Sequence, residues 1–369
     1  MRSGQKSALL SLEDGSEFPG IAFGSESSTQ GEVVFSTGMV GYPQSLTDPS
    51  YRGQILCLTY PLVGNYGVPE FSRDANGIPL HFESDRIQAS ALVVAELCDT
   101  PSHYSSKRTL SSWMKSEGIP GIKGVDTRSL TRRLRETGVM KGRILVEGSK
   151  LEEAGRKHRH LVDEVSCDSV IEYKGKPGTP TILLLDCGVK ANILRLILST
   201  GARVLRVPWD YDLRSLSCDG ILISNGPGDP KACTKTIAAV RKVLVRDLPV
   251  FGICLGNQIL ALAAGADTYK LPYGHRGQNQ PAIDAGTKRC YMTSQNHGYA
   301  VREESLPGGW EPWFVNGNDG TIEGIRSVHG KFSAVQFHPE GCPGPRDTQY
   351  LLERFVAEAG LYASKRGNL

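Results

Sequence analysis

The sequence predicts an α/β protein of two domains. Residues 1–150 form an N-terminal mixed α/β domain, and residues 179–360 a doubly wound, mainly parallel-sheet domain, joined by a linker at 151–178. Three observations carry this. First, short alternating apolar stretches in the N-terminal part are broken densely by Gly, Pro and Asn. Second, residues 148–180 shift in composition: charged residues crowd Lys150 to His160, and Lys174-Gly175-Lys176-Pro177-Gly178-Thr179-Pro180 is turn chemistry throughout. Third, continuous apolar runs then alternate with helix-spaced segments, the signature of a sheet covered on both faces.

In the N-terminal part, Gly31 to Ser36 and Gln54 to Tyr60 read as strands. Thr109 to Glu117 and Thr127 to Thr137 read as helices, the second stopped by Gly138. After the linker, Thr181 to Asp186, Ala202 to Val207, Gly220 to Ser224 and Pro249 to Ile253 are the expected strands. The expected helices are Asn192 to Ser199, Ala232 to Asp247 and Leu255 to Ala264.

Bulk properties exclude several classes. The net charge of +3 gives no electrostatic case for nucleic acid or an anionic membrane. The nine cysteines are scattered with no C-x-x-C pair, neither a zinc pattern nor a disulfide framework, so a reducing compartment is expected. Apolar runs fall short of the ~18 residues a membrane span needs. The N-terminal stretch is too quickly charged for a signal peptide. A soluble cytoplasmic protein without metal ligands is the expectation.

The chemistry concentrates in the second domain. Val250-Phe251-Gly252-Ile253-Cys254-Leu255-Gly256-Asn257-Gln258 is an apolar strand ending in Gly-x-Cys-x-Gly, followed by a helix. A nucleophile on a tight strand-to-helix turn needs small neighbours at both sides, and the helix N-terminus favours thiolate over thiol. On this motif alone, a buried cysteine beside a tight turn explains Cys254 equally well. Gln258, one helical turn on, adds a polar group on the same helix face that suits a polar substrate. A nucleophilic cysteine also needs a base and an orienter. His338-Pro339-Glu340 supplies both, since residues i and i+2 of an extended segment share a side and Pro339 marks a strand end. Ser224-Asn225-Gly226-Pro227-Gly228-Asp229-Pro230 follows a strand and offers backbone amides for an oxyanion. It has neither the P-loop nor the dinucleotide pattern, so nucleotide binding is disfavoured.

In this order, the Gly226, Cys254 and His338 segments resemble the class I, triad-type glutamine amidotransferases. The runs Gly274 to Pro281 and Thr293 to Val301 are similar to the glutaminase of carbamoyl-phosphate synthetase. So are Thr37 to Pro43, Leu46 to Tyr51 and Leu58 to Gly67 in the first domain. Gly41-Tyr42-Pro43 and Gly277-Gln278-Asn279-Gln280-Pro281 resemble the eukaryotic pyrimidine-pathway type, in which the glutaminase often leads a longer polypeptide.

The resemblance implies that Cys254 attacks L-glutamine, with His338 as base and Glu340 as orienter, through a γ-glutamyl thioester. It implies an oxyanion hole from the amides of Gly226 and Leu255. Ser50, Gly228, Gln258, Asn296, Gly298 and Tyr299 match positions that hold glutamine, and Ser50 implies a site shared by both domains. No cofactor is expected in this chain. ATP, bicarbonate and Mg belong to the implied partner, a carbamoyl-phosphate synthetase large subunit or fused synthetase domain, which receives the ammonia. Departures from the family pattern are Asn257 where histidine is frequent, Gly341-Cys342 after His-Pro-Glu, and Tyr299 for a phenylalanine. The alternatives are an amidotransferase of GMP, CTP or anthranilate synthesis, an arginine-pathway subunit, and a catalytically silent regulatory module.

Overall fold

The computed structural model describes residues 5–151, 160–213, 215 and 217–367. The chain divides into two compact units, Met1–Arg159 and His160–Leu369.

In the first unit seven strands close into a barrel. Around it run Ser7–Leu12, Glu17–Gly24, Pro120–Lys123, Ala91–Val93, Gln54–Leu58, Thr29–Ser36 and Met140–Val146, the last pairing back onto the first. Three neighbouring pairs are parallel and the others antiparallel. Closure leaves no free sheet edge, and Val33, Val34, Ile55, Leu56 and Leu92 fill the interior and its covered outer face. The helix Leu110–Ser116 starts where the Thr109 side chain accepts from the Ser112 amide. Asp126 does the same for Thr127–Thr137, which ends at Gly138 with φ 90°. Ser50 lies in the short 3-10 turn Pro49–Tyr51, where Asp48 accepts its backbone amide.

The second unit is built on a ten-stranded sheet. Its centre is five parallel strands in the order Arg203–Pro208, Thr181–Asp186, Gly220–Ile223, Val250–Ile253, Phe332–Val335. Four antiparallel strands extend it beyond Phe332–Val335: Ile322–Ser327, Trp310–Asn316, Thr268–Asp284 and Cys290–Val301. Ile182 to Leu185 are all fully buried, as a central strand with helices on both faces requires. The chain leaves Thr181–Asp186 toward one side of the sheet and Gly220–Ile223 toward the other. Right-handed crossovers therefore place the helices Ala191–Ser199 and Thr234–Val243 on opposite faces. Tyr350–Gly367 packs with the first of these, setting Phe355 against Phe251 and Gly220. Leu255–Ala264 packs with the second.

The stretch 151–178 differs from the expected linker. Residues 152–159 lie outside the described residues, and the second unit begins at His160 rather than at Thr179. Val162 joins that unit's core, Asp163 accepts from Trp209 Nε1 at 3.1 Å, and Ile171–Tyr173 pairs antiparallel with Arg203–Pro208. An edge strand whose residues are mostly exposed carries no apolar signature, so composition alone reads it as connector.

Candidate active site

Cys254 sits between the strand Val250–Ile253 and the helix Leu255–Ala264 with φ 54° and ψ −104°. This backbone is costly for a residue with a Cβ, on the order of 1–3 kcal/mol, so the surroundings must enforce it. The Cys254 amide donates to Val335 O at 2.8 Å, and Cys254 O accepts from Asn257 N at 3.0 Å. Both flanking glycines are sterically required. A Cβ on Gly252 would lie 2.6 Å from Gly256 O, and one on Gly256 only 2.1 Å from Ile223 O. The thiol is nearly inaccessible at 2% exposure. Sγ contacts Asn296 O at 3.6 Å as donor and accepts from Gln336 Nε2 at 3.7 Å.

His338 and Glu340 follow the end of the neighbouring strand Phe332–Val335. His338 Nδ1 donates to Glu340 Oε1 at 2.7 Å, which leaves Nε2 as the basic nitrogen. Nε2 is buried without a hydrogen-bond partner. The pair is made by a turn rather than by the extended segment expected, since Gly341 N donates to His338 O at 3.1 Å. His338 itself is pinned by its amide to Ser294 O at 2.8 Å.

No local sequence pattern marks Lys190. It follows the end of the central strand Thr181–Asp186, a position where α/β sheets gather functional groups. Its Nζ lies 2.9 Å from Glu340 Oε1 and donates to Gly341 O at 3.0 Å, with both charged groups buried. The loop that carries it is fixed by Asp186, which accepts the Gly188 and Val189 amides and pairs with Arg206. Burial pushes the Glu340 carboxyl up, but Lys190 and then His338 outweigh it and bring it to about 2. Burial and, less strongly, Lys190 push His338 down. Glu340 outweighs them with help from the Cys254 sulfur, and the result is about 10. The site thus favours a proton on His338, the direction in which a thiol proton must move.

Of the other expected residues, Leu255, Gln258 and Asn296 border Cys254, and Gly226 lies against Leu255. Gly226 and Leu255 are adjacent: a Cβ on Gly226 would lie 2.8 Å from Leu255 Cδ2 and 2.0 Å from Cys187 O. Leu255 opens its helix, where the first amides have no intrahelical partner. Gly228 has φ +89° in the same loop. Asn296 reaches Cys254 through its carbonyl, and Tyr299 O accepts from Gln258 Nε2 at 2.9 Å. Gln258 Nε2 also donates to Gln336 Oε1 at 3.1 Å, so its amide nitrogen is committed within the protein and its carbonyl oxygen is the end left for a ligand. Gly298 lies in the same strand as Asn296 and Tyr299. Ser50 belongs to the first unit.

Among the described residues, His275, His297 and Glu323 bring metal-capable atoms within 4.8 Å of one another. They already form a hydrogen-bonded network. Asn316 Nδ2 donates to Glu323 Oε1 at 2.9 Å, His275 Nε2 meets Asp319 at 2.9 Å, and His297 Nδ1 meets Tyr299 O at 2.9 Å. Burial opposes the Glu323 charge, yet the two histidines hold its carboxyl at about 2.

Carbamoyl-phosphate synthase small chain, CPSase domain, matches residues 10–144, and Glutamine amidotransferase class-I matches residues 183–358. The carbamoyl phosphate synthase small chain of Pyrococcus furiosus is 46% identical over 362 residues, covering 95% of this chain and 97% of that protein. The chain belongs to the carbamoyl-phosphate synthase small chain family. A second family relative, the arginine-specific small chain of Neosartorya fischeri, is 44% identical and covers 99% of this chain and 82% of its own length. The multifunctional protein CAD of Squalus acanthias is 50% identical over 95% of this chain. This chain spans about a sixth of the length of such multifunctional relatives (16% and 17%).

Proposed function

We propose that the chain hydrolyses glutamine to glutamate and ammonia, and that the ammonia passes to a carbamoyl-phosphate synthetase partner or fused region. The observation that carries this is the strained, buried Cys254 beside a histidine whose other nitrogen is held by a buried carboxylate. His338 Nε2 holds the proton given up by the thiol, and Sγ attacks the side-chain carboxamide carbon of glutamine. The oxyanion develops toward the Gly226 and Leu255 amides. The C–N bond then breaks, ammonia leaves with the proton from His338, and a γ-glutamyl thioester remains. Water deprotonated by His338 attacks the thioester carbonyl, the C–S bond breaks, and glutamate leaves. Gly228, Gln258, Asn296, Gly298 and Tyr299 hold the amino acid in this reading.

Ammonia freed into neutral water is largely protonated and no longer nucleophilic, so direct delivery to a synthetase is the useful fate. ATP, bicarbonate and Mg belong to that partner. We assign the product to pyrimidine synthesis, supported by the resemblance of Gly41-Tyr42-Pro43 and Gly277-Gln278-Asn279-Gln280-Pro281 to the eukaryotic pyrimidine-pathway type. The test measures glutamate release with the synthetase present. Cys254→Ala should abolish glutamine-dependent turnover while ammonia-dependent synthesis persists. Loss of both activities, or of neither, would overturn the assignment.

A further inference from the structure

We propose that Gln336 is a further catalytic residue, whose side-chain amide donates to the Cys254 sulfur and stabilises it as thiolate. This rests on the nucleophile reading above. Gln336 is fully buried, follows the strand Phe332–Val335, and places Nε2 3.7 Å from Sγ, a normal donor separation for so large an acceptor atom.

The two ends of an amide have nearly the same shape, so what decides which one faces the sulfur is the surrounding hydrogen bonding. Here a chain of contacts decides it. Tyr299 O can only accept, so the Gln258 group 2.9 Å from it must be the nitrogen. That nitrogen also meets the Gln336 amide at 3.1 Å, which must therefore present its oxygen there. Asn257 Nδ2 donates to the same oxygen at 3.1 Å. With Oε1 held by two donors, Nε2 is left to face Sγ. A backbone carbonyl of the strand Cys290–Val301 thus sets the polarity of a contact two side chains away.

The contact is selective for the ionised state. In the thiol, S–H points at Asn296 O at 3.6 Å. Once the proton leaves for His338, that carbonyl faces a negative sulfur and the contact turns unfavourable. The Gln336 donor strengthens at the same moment, because a hydrogen bond to an ion in a buried site is stronger than one to a neutral atom. Gln336 so favours both steps in which sulfur carries negative charge: attack on the carboxamide and departure from the thioester.

The experiment is alkylation of Cys254 by iodoacetamide, followed peptide by peptide by mass spectrometry because eight other cysteines are present. Gln336→Met keeps length and removes the donor. Its Cys254 alkylation at pH 7 should be about tenfold slower and recover as the pH is raised, since one lost hydrogen bond is worth roughly a factor of ten. The kcat for glutamine should fall by a similar factor with KM within about threefold. Gln336→Glu should be slower still. Should Gln336→Met fail to fold, Asn257→Ala carries the test, with a smaller loss in the same direction. Unchanged Cys254 alkylation in folded Gln336 variants, or in folded Asn257→Ala if that variant carries the test, would overturn the proposal. So would an effect confined to KM. Failure of the underlying reading is separate: glutamine hydrolysis surviving Cys254→Ala would remove the nucleophile itself.

Discussion

Replacing Glu340 by glutamine isolates a single charge. One carboxylate oxygen serves two cations, His338 Nδ1 at 2.7 Å and Lys190 Nζ at 2.9 Å, while its other oxygen has no partner. Glu340→Gln keeps shape but leaves a buried ammonium without the carboxylate that compensates it. Removing one partner of a buried pair costs about 3–5 kcal/mol, which for a unit of this size lowers the unfolding midpoint by roughly 10 °C. The rate falls for another reason. His338 loses the group that raises its basicity most, while the opposing push of Lys190 stays. A loss of about 10²–10⁴ in glutaminase kcat is expected, the range seen when an orienting carboxylate is neutralised. The double variant Glu340→Gln/Lys190→Met separates the two effects, because it removes the stranded charge along with its partner. It should regain most of the lost thermal stability and little of the rate. Differential scanning fluorimetry reads the first and glutamate release the second. A single variant with an unchanged midpoint would refute the structural role of the ion pair, and recovery of rate in the double variant would refute the role assigned to Glu340.

Other perturbations test neighbouring parts of the argument. His338→Ala should lose more rate than Glu340→Gln, since it removes proton transfer itself rather than its orientation; equal losses in the glutamate assay would mean that Glu340 does more than orient. Gly256→Ala forces a Cβ to 2.1 Å from Ile223 O and should cost several kcal/mol (about 3 or more) with loss of activity. Gly308→Ala meets nothing within 4 Å and should unfold like the parent in the same denaturant titration. The pH dependence has a definite sign. Glu340 is held at about 2 against an ordinary 4.5, so its contribution is complete above about 4.5 and lost as pH falls toward 2. His338 is raised to about 10 from 6.5, so its contribution is complete below about 6.5 and lost as pH rises through 10. Denaturant midpoints measured across this range should fall on both sides of pH 4.5–6.5, and less steeply in the double variant.

The parallel half of the second unit was legible because its strands are continuous apolar runs and its helices are spaced at 3.6 residues. Thr181–Asp186, Val250–Ile253 and Leu255–Ala264 lie within a residue of where periodicity put them. The barrel of the first unit was not, since closure depends on pairing Ser7–Leu12 with Met140–Val146 across the length of the unit. Nor was the long hairpin of Thr268–Asp284 and Cys290–Val301, whose polar residues mask strand alternation. In the site, Cys254 was readable because the glycines flanking it obey a local steric rule, and His338 and Glu340 as a close pair, although a turn joins them and not the extended spacing. Lys190 and Gln336 were not. A lysine after a strand and a glutamine at a strand end look ordinary until the fold brings Glu340 to one and the sulfur to the other.

One strand gives these local features a common frame. Among the described residues Cys290–Val301 is the last strand of its sheet, and carbonyls of this strand are spent on the site. Ser294 O takes the His338 amide, Asn296 O the Cys254 thiol and Tyr299 O the Gln258 side chain. Carbonyls two residues apart share an edge, which suits Ser294 and Asn296, but Tyr299 is out of phase with both. The register with Thr268–Asp284 shifts between His275/His297 and Lys270/Tyr299, and that irregularity re-aims the backbone there. His338, Cys254 and the clamp on Gln336 are thereby indexed to a single backbone. A one-residue slip of that strand would displace all three together, while a side-chain substitution displaces one. The antiparallel extension, which the apolar pattern announces least, is what brings the parallel core's elbow cysteine into register with His338.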